Sequence, residues 1–143
     1  KIESELNKHD IQIIATDELL KCLKTTAEIN SKSIWSEEFL SKKAAMGTVD
    51  GLENAIEFIN TYSGGHSNII LTENKADAST FMEQIDSAAV YHNASTRFTD
   101  GGQMGVGAEL AISTDKLHHR GPLGLKQLVT NKYYILGNGQ IRE

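Results

Sequence analysis

The run Asn93-Ala94-Ser95-Thr96-Arg97 gathers an amide, two hydroxyls and a guanidinium within five positions, and Asp100 adds a carboxylate shortly after. Arginine presents a planar fork of donors, and serine and threonine add short ones, so this set suits a phosphate or a carboxylate. Gly101, Gly102, Gly105 and Gly107 follow. Glycines let backbone approach a ligand closely or adopt positive φ. A plainer reading of the same residues is a surface loop in which Arg97 pairs with Asp100. The isolated Gly105-Val106-Gly107 is not a dinucleotide fingerprint, because no strand and helix frame it as that motif requires.

The elements that must position this loop precede it. Ile11–Ala15 reads as a buried or half-buried strand. Thr16 or Asp17 can cap a helix with Leu19, Leu20 and Leu23 on one face. Residues 43–49, Lys-Ala-Ala-Met-Gly-Thr-Val, make a weaker strand. Asp50 and Glu53 have capping-box spacing, ahead of a stripe of Leu52, Ala55, Ile56 and Ile59 that ends near Ser63-Gly64-Gly65. Ser67–Thr72 reads as a strand, and Asn74 can cap a helix with Ala78, Phe81, Met82 and Ile85 on its apolar face. Ala88–Tyr91 reads as a short strand running into Asn93. Strand, helix, strand, helix, strand at this spacing predicts an α/β layer with parallel pairing. The loop then leaves the carboxyl end of a strand, where such sheets place ligands. Further on, Pro122 suits a helix first turn, with Leu125, Leu128 and Val129 as its stripe, and Asn131–Leu136 reads as a final strand that needs a partner.

Composition narrows the function classes. A length of 143 residues is about one domain, with an ordinary balance of apolar and charged residues. The net charge of −5 argues against nucleic acid as a main partner, since neutralising phosphates needs a basic surface. A single cysteine excludes an internal disulfide and fits a reducing compartment such as the cytoplasm. No apolar run reaches the length of a membrane span, and the opening residues do not form a signal peptide. The chain opens without Met in what reads as mid-helix, so a fragment of a longer protein is expected.

Other reactive residues read as structural. Nothing near Cys22 in sequence would lower its pKa, and no glycine-rich turn presents it, so it reads as a plain thiol. His66 reads as a loop histidine making a local hydrogen bond, although a place near an active site stays open. Adjacent His118 and His119 point apart on any regular element, which argues against a shared metal.

Longer motifs carry a resemblance. Asn93 through Gln103, then Gly105-x-Gly-Ala-Glu, Ile112-Ser-Thr and Leu117-His-x-Arg-Gly-Pro-x-Gly-Leu125 resemble the C-terminal signature of the gamma-glutamyl phosphate reductase family. That family belongs to the aldehyde dehydrogenase superfamily. Gly65-His66-Ser67, Asp86 to Tyr91 and Lys132-Tyr133-Tyr134 extend the match, and in the last motif His118 rather than His119 holds the family's histidine position. The resemblance implies an aldehyde-dehydrogenase-like fold, with residues 1–130 as the C-terminal part of the catalytic domain and 131–143 as a terminal oligomerisation strand. It implies NADPH as cofactor, gamma-glutamyl phosphate as substrate and a homo-oligomer. Arg97, with Ser95 and Thr96, would anchor the substrate phosphate or the glutamyl carboxylate. Asn93 would orient the loop or donate to the acyl oxygen. Glu38 and Phe39 fall where the superfamily contacts the ribose of the nicotinamide cofactor. Read without the family, Glu38 is an acidic residue in a helix first turn. The nucleophilic cysteine would belong to a segment upstream of Lys1, and Cys22 does not match its motif. Two alternatives stay open: the reductase half of a bifunctional pyrroline-5-carboxylate synthase, and a non-catalytic module for anion binding or oligomerisation.

Overall fold

The structure is a computed structural model that describes all residues except 26, 108, 110, 111, 117, 118 and 143. His118 therefore lies outside the described residues. The chain divides into two units, Lys1–Thr96 and Arg97–Glu143.

The first unit holds the regular structure. Helix α1 spans Ile2–Lys8 and leads into strand β1, Gln12–Ala15. Helix α2 is a single turn, Asp17–Leu20, shorter than the leucine spacing predicts. The backbone carbonyl of Thr16 accepts from the amides of Leu19 and Leu20, but its side chain makes no capping hydrogen bond. Strands β2, Ala27–Glu28, and β3, Lys43–Met46, flank β1, and both run parallel to it. The weak-looking stretch from Lys43 thus becomes a full partner, with Gln12 to Ala15 in register with Lys43 to Met46. Ile13 and Ala15 are buried, as alternation along β1 requires.

Helix α3, Gly51–Tyr62, begins after Asp50 and ends at Ser63, where Gly64 and Gly65 take positive φ. Asp50 occupies the cap position without a side-chain capping hydrogen bond, so the expected capping box is not formed. Asn54 Nδ2 donates to the Asp50 carbonyl at 2.9 Å. Strand β4, Ser67–Ile70, helix α4, Lys75–Gln84, and strand β5, Ala89–His92, form a parallel βαβ unit. Asn74 caps α4, its Oδ1 accepting from the amides of Ala76 at 2.9 Å and Asp77 at 3.4 Å. Ile56, Phe81 and Ile85 form the core of this half, with Leu52, Ile59, Ile70 and Val90 packed on it. Met82, expected on the same face, is exposed. Asn60 ties the two helices, donating to the Gln84 carbonyl at 2.9 Å and accepting from the Asp86 amide at 2.8 Å. The strands are parallel as predicted, but they form two sheets, β2-β1-β3 and β4-β5, rather than one layer.

The second unit is built from turns. Among its described residues it contains no α-helix and no strand. The helix expected after Pro122 reduces to one 3₁₀ turn, Leu125–Gln127. Its intended stripe, Leu125, Leu128 and Val129, is exposed, and a short helix with nothing to pack against does not persist. Tyr133 to Leu136 pair with no strand among the described residues, and all four are largely exposed. A segment without a ladder partner gains too little to form sheet.

Candidate functional site

β4 and β5 deliver the segment singled out by its chemistry. The ladder continues past the strand ends, since the Asn93 amide donates to the Ile70 carbonyl at 3.0 Å. Asn93 then turns to a φ of 51°, a left-handed conformation that Asn tolerates better than most residues. Its side chain works as a backbone mimic. Oδ1 accepts from the Thr72 amide at 3.0 Å, and Nδ2 donates to the Thr72 carbonyl at 2.8 Å. The amide that could face an acyl oxygen is thus engaged with Thr72. His92 Nε2 lies 2.9 Å from the same carbonyl oxygen. A carbonyl only accepts, so Nε2 carries the proton there, and one oxygen takes both side-chain donors on its two lone pairs. Neither His92 nor Thr72 stood out in the sequence. The signal available was their place, His92 at the end of one strand and Thr72 two residues past the end of another running the same way.

Beyond Asn93, Ser95 is exposed and Thr96 half-buried. Thr96, Arg97 and Phe98 form a 3₁₀ turn in which Arg97 is exposed. Asp100 closes the turn that follows, its Oδ1 accepting from the amides of Gly102 and Gln103, each at 2.9 Å. A Cβ at position 102 would sit 3.1 Å from that carboxylate oxygen. Gly105 and Gly107 take φ of 72° and 79°. Gly102, Gly105 and Gly107 are thus accounted for by turn geometry. Glu109 Oε2 accepts from the Gly101 amide at 2.9 Å.

The other predicted pair lies between β2 and β3. Glu38 is exposed and Phe39 half-buried, in irregular backbone after the 3₁₀ turn Lys32–Ser36. The helix first turn of the simpler reading is not there. No described residue hydrogen-bonds the Glu38 carboxylate, which leaves it able to accept two hydroxyl donors. Next to it, Leu40 combines a φ of 46° with 87% exposure. A bulky apolar residue in that conformation is strained, and such outliers concentrate at ligand sites.

A cavity of about 290 Å³ opens at the carboxyl ends of β1 and β3, among Thr16, Trp35, Gly47, Thr48 and Phe58. Trp35 and Phe58 meet edge to face at 5.1 Å. The Thr16 hydroxyl is buried there without a hydrogen-bond partner. None of the predicted site residues lines this cavity. Cys22 is exposed in the turn after α2. His66 is exposed, with Nδ1 at 2.7 Å from Ser67 Oγ. Among the described residues no cluster of His, Cys, Asp and Glu could hold a metal ion, and no helix is long and apolar enough to cross a membrane.

Helices alternating with parallel strands, and a polar loop leaving a parallel strand pair, place the chain among α/β proteins, a class in which ligand sites lie at the carboxyl ends of strands. No family model matches it. Named relatives do. The chain is 49% identical over 139 residues to gamma-glutamyl phosphate reductase of Caldanaerobacter subterraneus subsp. tengcongensis, covering 97% of this chain and 33% of the relative. The enzyme of that name from Halothermothrix orenii is 59% identical over 109 residues, 76% of this chain and 26% of the relative. The crystal structure of gamma-glutamyl phosphate reductase from Thermotoga maritima superposes with a TM-score of 0.86 at 44% identity, over 98% of this chain and 34% of that one. Along nearly all of its length the chain is similar to gamma-glutamyl phosphate reductases, and it spans about a third of the length of the curated relatives that it matches.

Proposed function

We propose that the chain is the C-terminal part of an aldehyde-dehydrogenase-like catalytic domain whose complete enzyme reduces gamma-glutamyl phosphate to glutamate-5-semialdehyde with NADPH, releasing phosphate, in proline biosynthesis. The observation that carries this reading is the agreement in fold and sequence with a solved reductase over nearly the whole chain. Bound NADPH supplies the hydride, and a cysteine thiolate outside this chain supplies the nucleophile.

The residues here position and bind. Arg97, with Ser95 and Thr96, holds the phosphate or carboxylate of the substrate through charge-assisted hydrogen bonds. Asn93 orients the start of that segment through Thr72. Glu38 accepts the ribose hydroxyls of the nucleotide, and Phe39 packs beside it. The Glu38 carboxylate, to which no described residue hydrogen-bonds, and the strained, exposed Leu40 two residues on support that assignment. Residues 131–143 add as a strand to a second copy, which would cover Tyr133 to Leu136 in a homo-oligomer; their exposure supports this. The enzyme works in the cytoplasm.

The test is inhibition of the complete enzyme by inorganic phosphate. Phosphate should compete with substrate in the wild type and bind the Arg97→Ala variant much more weakly. Equal phosphate affinity in the two proteins overturns the assignment of Arg97.

A further inference from the structure

We infer that His92 is a positioning residue for the anion-binding segment, acting through a latch in which His92 and Asn93 both grip the backbone of Thr72. The inference rests on the reading of Ser95 to Arg97 given above. Four hydrogen bonds lock the carboxyl ends of β4 and β5 together within two residues: Asn93 amide to Ile70 carbonyl, Thr72 amide to Asn93 Oδ1, and Asn93 Nδ2 and His92 Nε2 to the Thr72 carbonyl.

The arrangement is directional. Strand β4 ends at Ile70, yet Thr72 lies two residues beyond and is held by side chains rather than by the ladder. Asn93 must sit at positive φ to turn its amide back onto Thr72. That unusual conformation sets the direction in which the chain leaves toward Ser95. His92 supplies the second donor to the Thr72 carbonyl, so its loss leaves Asn93 to hold the junction alone. Thr72 in turn accepts the Asn74 amide on its Oγ1 at 3.0 Å, which connects the latch to the cap of α4. The latch is therefore anchored in the packed half of the unit.

Two measurements test this. In the 143-residue chain, His92→Leu should speed hydrogen exchange of the Thr72 and Asn93 amides roughly threefold to tenfold, the effect of losing one modest hydrogen bond. His92→Gln, whose terminal amide can reach the place of Nε2, should restore slow exchange. Unchanged exchange in His92→Leu overturns the latch. In the complete enzyme, His92→Leu should weaken competitive inhibition by phosphate and raise KM for the acyl phosphate, each roughly threefold to tenfold, with kcat changed less. His92→Gln should again rescue. Fast exchange with unchanged phosphate affinity in His92→Leu, while Arg97→Ala does lose phosphate affinity, overturns the positioning role and leaves the anion site standing. Unchanged phosphate affinity in Arg97→Ala removes the anion site and the positioning role with it, while the exchange result still decides the latch.

Discussion

Arg97 is the residue on which the proposed chemistry turns. Lysine keeps the charge but not the planar fork, so Arg97→Lys should already impair the complete enzyme. Losing a charge-assisted contact costs on the order of 1.5–3 kcal/mol, so Arg97→Ala should lower kcat/KM by about tenfold to a hundredfold. If Arg97 served only to hold its loop through Asp100, Asp100→Asn would do equal damage to turnover. The Asp100 carboxylate oxygen closes the glycine turn by accepting two backbone amides. Steady-state kinetics of the three variants separate the two roles. Cys22 makes the opposite case. It is an exposed thiol in the turn after α2, outside the family's nucleophile motif, so Cys22→Ser should leave turnover nearly unchanged. A loss of about a hundredfold would identify it as the nucleophile.

Among the elements, the two longer helices give a matched pair of tests. Asn74 caps α4 through two backbone amides, so Asn74→Ala should cost about 1 kcal/mol in a denaturation experiment. Asp50 stands at the same position of α3 without a capping hydrogen bond, so Asp50→Ala should cost clearly less. Equal losses would mean that Asp50 caps its helix in solution. Phe81, at 2% exposure, packs with Ile56 and Ile85, and Phe81→Ala should cost about 3–5 kcal/mol. At the other sheet, Glu28 at the end of β2 is pushed above the ordinary 4.5 by a hydrogen bond with Asp17 and by the charge of Asp17. A carboxyl whose folded pKa is raised holds its proton better in the folded state. The stability linked to it is present below the unfolded value and lost as pH rises through the folded one. Asp17→Asn should therefore flatten the pH dependence of stability in the weakly acidic range, and an unchanged profile would remove the coupling.

For the molecule as a whole, the largest consequence lies in apolar surface left open. Tyr133, Tyr134, Ile135, Leu136 and Ile141 are each at least 79% exposed. Patches of this kind mark interaction surfaces or drive association. The chain should self-associate and bind a hydrophobic dye, with sedimentation showing species larger than a monomer. A clean monomer without dye binding would count against the proposed terminal strand. The 143 residues should also show no reductase activity, since their one cysteine is Cys22, and turnover by the chain assayed beside the complete enzyme would contradict that.

What was legible from residue order is what local chemistry governs. The strands at Gln12, Ser67 and Ala89, the cap at Asn74 and the glycine stop after Tyr62 follow from alternation, capping and positive φ, each set within a few residues. The family match was legible as well, because its motif is contiguous. Other features depend on residues distant in sequence. The strand at Lys43 forms because β1 lies beside it, despite a weak local pattern. Helix propensity after Pro122 failed for the converse reason, since Leu125, Leu128 and Val129 find nothing to cover them. The division into two sheets depends on which strands pair with which, and no period reveals that. The grip of His92 and Asn93 on Thr72 spans about twenty residues and exists only once β4 and β5 lie parallel. Side chains that meet through a strand pairing carry no mark in the order of residues, because register and packing bring them together.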